Sequence, residues 1–257
     1  MVSLLRKLAG SACRLRRKTV RLPTLLASYD TPMFGQYFRE ILAFWWRHLG
    51  AIFLVTAPFA LAGEALQWAL GPTMLIEDDR IGGFNLGSIV ALMLLRPLAE
   101  AALMIQLGAL QQGKARGLLA CLLPALMLYP ALLVTYLLIG IGVSLGWLAF
   151  IFPALWVYTR LCIAPFLVVL RGSGPIQALR DSFQLTRSQQ WSLLFTLLSL
   201  FLFALMVSST FSGLLVALLG NTGGTMLITA LVSALMSATL NVAVLRYWNL
   251  SEAEQSG

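Results

Sequence analysis

Charge is what this chain most lacks. Charged residues make up 11% of its 257 residues, where a soluble domain keeps roughly a quarter. That shortage excludes an ordinary water-soluble domain and leaves lipid as the solvent for most of the chain. Hydrophobic residues reach 59% and the mean hydropathy is +0.85. Histidine is almost missing. His48 stands alone, with no cysteine or carboxylate cluster beside it, so no zinc or haem site is expected. The cysteines, Cys13, Cys121 and Cys162, are odd in number. The latter two fall in apolar runs, which argues against a disulfide framework. No glycine fingerprint for nucleotides, no GxSxG and no HExxH occurs, and these motifs carry common phosphate, acyl and metallopeptidase chemistries. The polar loops are too short for a soluble catalytic domain. An enzyme would need Glu100 or Glu64 to work alone. The expectation is therefore a non-enzymatic protein with no cofactor.

The charge that is present has one sign. The net charge is +8, and most basic residues flank apolar runs. That placement points to anionic lipid headgroups at the membrane surface as partners and away from nucleic acid. Residues 1–21 carry seven Lys or Arg and no acid. This stretch lacks the apolar core of a signal peptide. It reads as an uncleaved basic segment on the cytoplasmic face, where Leu4, Leu5, Leu8 and Leu15 can form one side of a short interfacial helix.

Six apolar runs are long enough to cross a bilayer, which needs about 20 residues in a helix. They cover about 48–70, 84–111, 118–140, 146–170, 191–218 and 226–247. The stretch 117–170 would be roughly 80 Å long as one helix, so it must turn back, and Gly140, Gly142, Ser144 and Gly146 mark the expected turn. "GNTGGT" at 220–225 marks another. Before the first run, "YFREILAFWWR" mixes charges with aromatics, as an interfacial helix anchored by Trp45 and Trp46 would. With six spans, fifteen Lys and Arg fall on one side and only Arg80 on the other. The positive-inside bias then puts both termini in the cytoplasm. The expected fold is all-α: a polytopic bundle of about six spans with amphipathic interfacial helices on the cytoplasmic side. Its parts are a basic cytoplasmic segment 1–35, a six-helix transmembrane domain 36–248 and a cytoplasmic tail 249–257.

Two charges and a proline interrupt the second span in "LLRPLAEAALMIQ", residues 94–106. An unpaired charge near the bilayer centre costs at least about 2.5–3.5 kcal/mol on the insertion scale. Arg96 and Glu100 are spaced i,i+4 and can pair on one helix face. Pro97 frees the carbonyl of Met93, a second acceptor for the five donors of an arginine. Arg160, in the fourth span, is at a similar expected depth. Arg96, Glu100 and Arg160 form the candidate intramembrane polar cluster, expected to face the bundle interior.

Between the fourth and fifth spans, "RGSGPIQALRDSFQLTRSQQW" opens a helix at Pro175. Ile176, Leu179 and Phe183 fall near one face, which reads as an amphipathic surface helix. The block "FPALWVYTRLCIAPFLVVLRGSGPIQALRDSFQLTRSQQW" resembles the YciC-like family of bacterial inner-membrane proteins and is similar to the membrane domain fused to some glycerophosphodiester phosphodiesterases. Pro153, Ala164, Pro165, Ala178, Ser182, Leu185, Thr186, Arg187 and Trp191 carry the resemblance. Ala154 departs from the glycine frequent in that family, and residues 1–30 look additional. The resemblance implies a multi-pass protein of the bacterial inner membrane, tied to envelope or lipid homeostasis. It brings no catalytic residues.

Two functional expectations follow. The first is a protein that supports envelope lipid organisation by binding or moving lipid. The second is a small-solute or lipid transporter or channel using a polar cavity around Arg96, Glu100 and Arg160. Pro97, Pro124, Pro130, Pro153 and Pro165 favour the second, because broken helices free backbone groups that need a partner or a cavity.

Overall fold

A computed structural model describes residues 34–256 except 78–79, 188–189 and 221. The basic segment at the start and its expected interfacial helix lie outside the described residues, up to residue 33. The rest is a helical bundle. α1 runs Phe34–Arg47 and α2 Leu49–Leu70. The strands β1 (Met74–Glu77) and β2 (Arg80–Phe84) follow. Then come α3 (Leu86–Gln111), α4 (Leu118–Ala149), α5 (Ile151–Leu161) and α6 (Ala164–Arg171). α7 (Pro175–Leu185), α8 (Gln190–Leu219) and α9 (Gly223–Ser256) complete the chain. Six stretches are long and apolar enough to cross a membrane: α2, α3, α4, α5 with α6, α8 and α9. The chain is a multi-pass membrane protein with an all-α bundle. The expected tail 249–257 continues α9 as helix through Ser256.

The loop expected between the first two spans is instead a small antiparallel hairpin. It pairs Met74 with Phe84 and Glu77 with Arg80, with a bulge at Leu75/Ile76. Asn85 closes it. The Asn85 side chain accepts from Ser88 N at 3.3 Å, capping α3, and donates to the Leu70 carbonyl at 2.6 Å. One residue thus starts α3 and satisfies the end of α2.

The expected turn at Gly140–Gly146 lies further on. α4 continues as helix through those glycines and breaks at Phe150, which is extended. Pro153 explains the position. Its ring would clash with the carbonyl of Ala149 if the helix continued, and near the start of α5 its missing N–H costs nothing. Gly146 serves close approach: a Cβ there would sit 2.7 Å from the Ala154 Cα. The "GNTGGT" turn falls where expected, between Leu219 and Gly223. Gly220 adopts φ +75°. Thr222 and Thr225 cap each other, N to Oγ1, at 3.0 and 3.3 Å, in the manner of a capping box.

α4 packs antiparallel to α3. Cys121 meets Gln106 at 3.3 Å and Tyr129 meets the Leu94 carbonyl at 2.8 Å, and Tyr136 reaches Glu100.

The stretch of α5 and α6 is the most buried of the six candidates. Ala164, Phe166 and Leu167 have no exposed surface. Both of its ends meet the same end of the α8–α9 pair. Phe152 lies 6.1 Å from the Trp191 ring, and the Arg171 guanidinium lies 5.6 Å from the Trp248 ring. Tyr247 ties those levels together through Ser192 at 2.8 Å and Thr196 at 3.0 Å. A straight helix of 21 residues would be roughly 31 Å long and, beside α8, would carry its ends to opposite levels. The break at Cys162–Ile163 bends it inward instead.

α1 is amphipathic as expected, but its two tryptophans differ. Trp45 is core, and its Nε1 donates to the Leu235 carbonyl at 3.0 Å. Trp46 is 73% exposed and has the placement of an interfacial anchor. Glu40 pairs with Arg246 of α9 at 2.5 Å.

Candidate functional site

Arg96 is roughly 15 Å along the axis from the start of α3, and Glu100 roughly 16 Å from its end. The expected i,i+4 pair forms, with Arg96 Nε 2.9 Å from Glu100 Oε1. The orientation departs from expectation. The Arg96 side chain is 79% exposed and that of Glu100 21%, so the pair sits on the outer surface of the bundle. The reason is position along the helix. The second half of α3 is buried on every side from Ala101 to Leu107, whereas its first half leaves Val90, Met93 and Leu94 exposed around Arg96. A long side chain can lie with its stem on apolar surface while its head stays polar.

Glu100 has a second partner that sequence reasoning missed. The Tyr136 hydroxyl donates to Glu100 Oε2. The packing of α4 against α3 creates this contact across 36 residues, so no spacing in the sequence announces it. α3 runs on as helix through Pro97, and the carbonyl that a side chain reaches is not that of Met93, the one expected, but that of Leu94. Tyr129 donates to Leu94 O at 2.8 Å. Tyr158 of α5 lies within electrostatic range of Arg96 and Glu100. The result is a polar strip on an apolar surface: a guanidinium held by a carboxylate, backed by phenols from α4. It offers a cation to an anionic group arriving from outside and has no nucleophile poised beside a base.

Arg160 does not join it. No ion pair links Arg160 to Glu100 among the described residues. The residue is 5% exposed, and its guanidinium lies 3.9 Å from the Phe183 ring centroid and 5.5 Å from that of Trp156. α7 holds it there. Ser182 Oγ donates to the Arg160 carbonyl at 2.8 Å, and Thr186 Oγ1 reaches it at 3.4 Å. The carbonyl lies at the end of α5, which stops at Leu161 before α6 starts at Ala164, so side chains of α7 can reach it. The expected apolar face of α7 is therefore divided. Ala178, Ser182 and Leu185 face the bundle, while Ile176 and Phe183 stay partly exposed.

Comparison with protein-family models, curated proteins and solved structures gives no match to this chain. The YciC-like resemblance therefore stands on its quoted residues. Several of those have a structural role in one place: Pro165, Ser182 and Thr186 build the α5–α7 joint, and Ala178 and Leu185 pack beneath it. Gln106 is a further buried polar residue not anticipated. Its Oε1 accepts from Arg116 N at 3.1 Å and from Cys121 Sγ at 3.3 Å, which fastens the α3–α4 loop.

Proposed function

We propose that this chain is a non-enzymatic, multi-pass protein of the bacterial inner membrane that binds phospholipid and supports the lipid organisation of the envelope. The observation that carries this reading is the exposed Arg96. A guanidinium on the outer face of an apolar helix is paired with Glu100, and lipid tails offer its other donors no partner. A phospholipid phosphate drawn to that depth along the protein does, through short charge-assisted hydrogen bonds. The one-sided basic charge supports the cytoplasmic placement of both termini, and the sequence resemblance supports the compartment.

A transporter or channel for small solutes has less support. Its basis was broken helices with unsatisfied backbone. At the main break the Arg160 carbonyl accepts from the Ser182 hydroxyl and needs no cavity. Two measurements test the lipid reading. Deleting the gene should change envelope lipid composition or stress sensitivity, and the purified protein should retain phospholipid selectively. An unaltered envelope together with unselective lipid retention would refute it. Flux of a small solute into liposomes carrying the protein, above empty vesicles, would favour the transporter.

A further inference from the structure

The buried arginine of α5 is not accounted for by the fold. Arg160 is a full cation at 5% exposure, and among the described residues no carboxylate pairs with it. Its Nε and Nη1 are buried with no hydrogen-bond partner. Those two nitrogens carry three of the five guanidinium N–H donors. The rings of Phe183 and Trp156 stabilise the charge through their faces. They do not accept the donors that lie in the guanidinium plane. Leaving a buried charge without a counter-ion is strongly unfavourable. A second cation makes the imbalance worse. Arg187, exposed two residues beyond the end of α7, lies within electrostatic range of Arg160.

The joint also looks built to hold the guanidinium in place. Ser182 spends its hydroxyl on the Arg160 carbonyl at 2.8 Å, and Thr186 donates to the Ser182 carbonyl at 2.9 Å, which fixes α7 over the side chain and leaves the guanidinium as the unsatisfied group. Two cations, aromatic walls and unused in-plane donors suit an oxyanion with several acceptors. A phosphate meets an arginine bidentately, and a net negative charge is favoured because two arginines converge.

We propose that Arg160 and Arg187 form a binding site for a phosphate monoanion or diester, covered by α7 and walled by Phe183 and Trp156. The phosphate is that of an anionic phospholipid headgroup. This last assignment rests on the lipid-binding reading above, whereas the anion site itself does not. It is separate from the Arg96–Glu100 strip.

The test uses the full-length protein in detergent. Binding of short-chain phosphatidylglycerol, short-chain phosphatidylcholine and sodium phosphate is measured by native mass spectrometry and by thermal shift. Phosphatidylglycerol should bind more tightly than phosphatidylcholine. Arg160→Met should weaken that binding by at least about tenfold, the scale of one bidentate charge-assisted contact. Arg187→Gln should weaken it less, and Arg180→Gln, on an exposed position of α7, should leave it unchanged. If Arg160→Met does not accumulate as folded protein, Arg187→Gln decides, because its side chain is exposed and its loss leaves the joint intact. Sodium phosphate binding that needs Arg160 or Arg187, without preference between the two lipids, would keep the anion site and overturn the lipid source. Wild-type affinity for phosphatidylglycerol in both arginine variants, or no binding of any of the three probes, would overturn the site.

Discussion

A carboxylate and a guanidinium four residues apart in an apolar helix are worth more together than separately. Removing one leaves the other unpaired in a medium that solvates it poorly. Glu100→Ala should therefore destabilise the protein more than Arg96→Met combined with Glu100→Leu, as read by melting in detergent and by steady-state level in the membrane. Glu100→Ala as stable as wild type would show that the pair contributes nothing. Tyr136→Phe leaves the ion pair and removes one hydroxyl donor. It should cost about 1–3 kcal/mol, the scale of an unmade hydrogen bond to a charged group. The Arg96–Glu100 contact was legible in the sequence because i,i+4 spacing alone brings side chains together. The partners of Glu100 and Arg160 were not. Tyr136 is 36 residues away from Glu100 and reaches it only because α4 packs on α3. Arg160 was expected beside Glu100 from depth alone, which ignores which face of each helix points where.

At the level of elements, helix starts and stops follow local chemistry. Pro175 begins a helix where the sequence suggested, whereas the caps at Asn85 and Thr222–Thr225 were not read from it. The glycines of α4 misled because glycine serves two purposes, a turn and a close approach, and the sequence does not distinguish them. Pro153, through its clash with the carbonyl four residues back, was the better marker of the break. Gly146→Leu tests this. A side chain there meets Ala154 backbone at 2.7 Å, so the α4–α5 contact must open and the protein should melt lower or fail to accumulate. Gly140→Ala, with open space around it, should be tolerated. If both variants accumulate and melt alike, the close approach at Gly146 has no structural weight. The α5–α7 joint was invisible in a different way. Ser182 and Thr186 read as polar positions of a surface helix, and their shared acceptor appears only once α5 and α7 are side by side.

For the whole molecule, hydropathy gave six apolar helices, and length and composition support all six. The fourth is bent inward, with both ends against one end of the α8–α9 pair, a feature that a hydropathy window cannot register. Topology follows from charge. Reporter fusions after Gly113 and after Gly174 should read as cytoplasmic, and fusions near Asp79 or Gly223 as exterior. An inverted reporter at 174 would break the arrangement. We propose the basic segment as a second, electrostatic attachment. A peptide of residues 1–22 should bind anionic vesicles, at about 1 kcal/mol per basic residue near the surface, and should release at high salt as screening shortens the range of attraction. Equal binding to neutral vesicles would show that charge is not the cause.

The account turns on whether the polar strip at Arg96 works or merely packs. The most direct measurement expresses Arg96→Met with Glu100→Leu in a strain lacking the gene, with membrane level and envelope lipid composition measured together. Removing both charges at once avoids the penalty of an unpaired ion, so the variant should reach wild-type level in the membrane. The lipid-binding account predicts that it is present and fails to restore the envelope. A variant present at wild-type level that restores the envelope fully would contradict it.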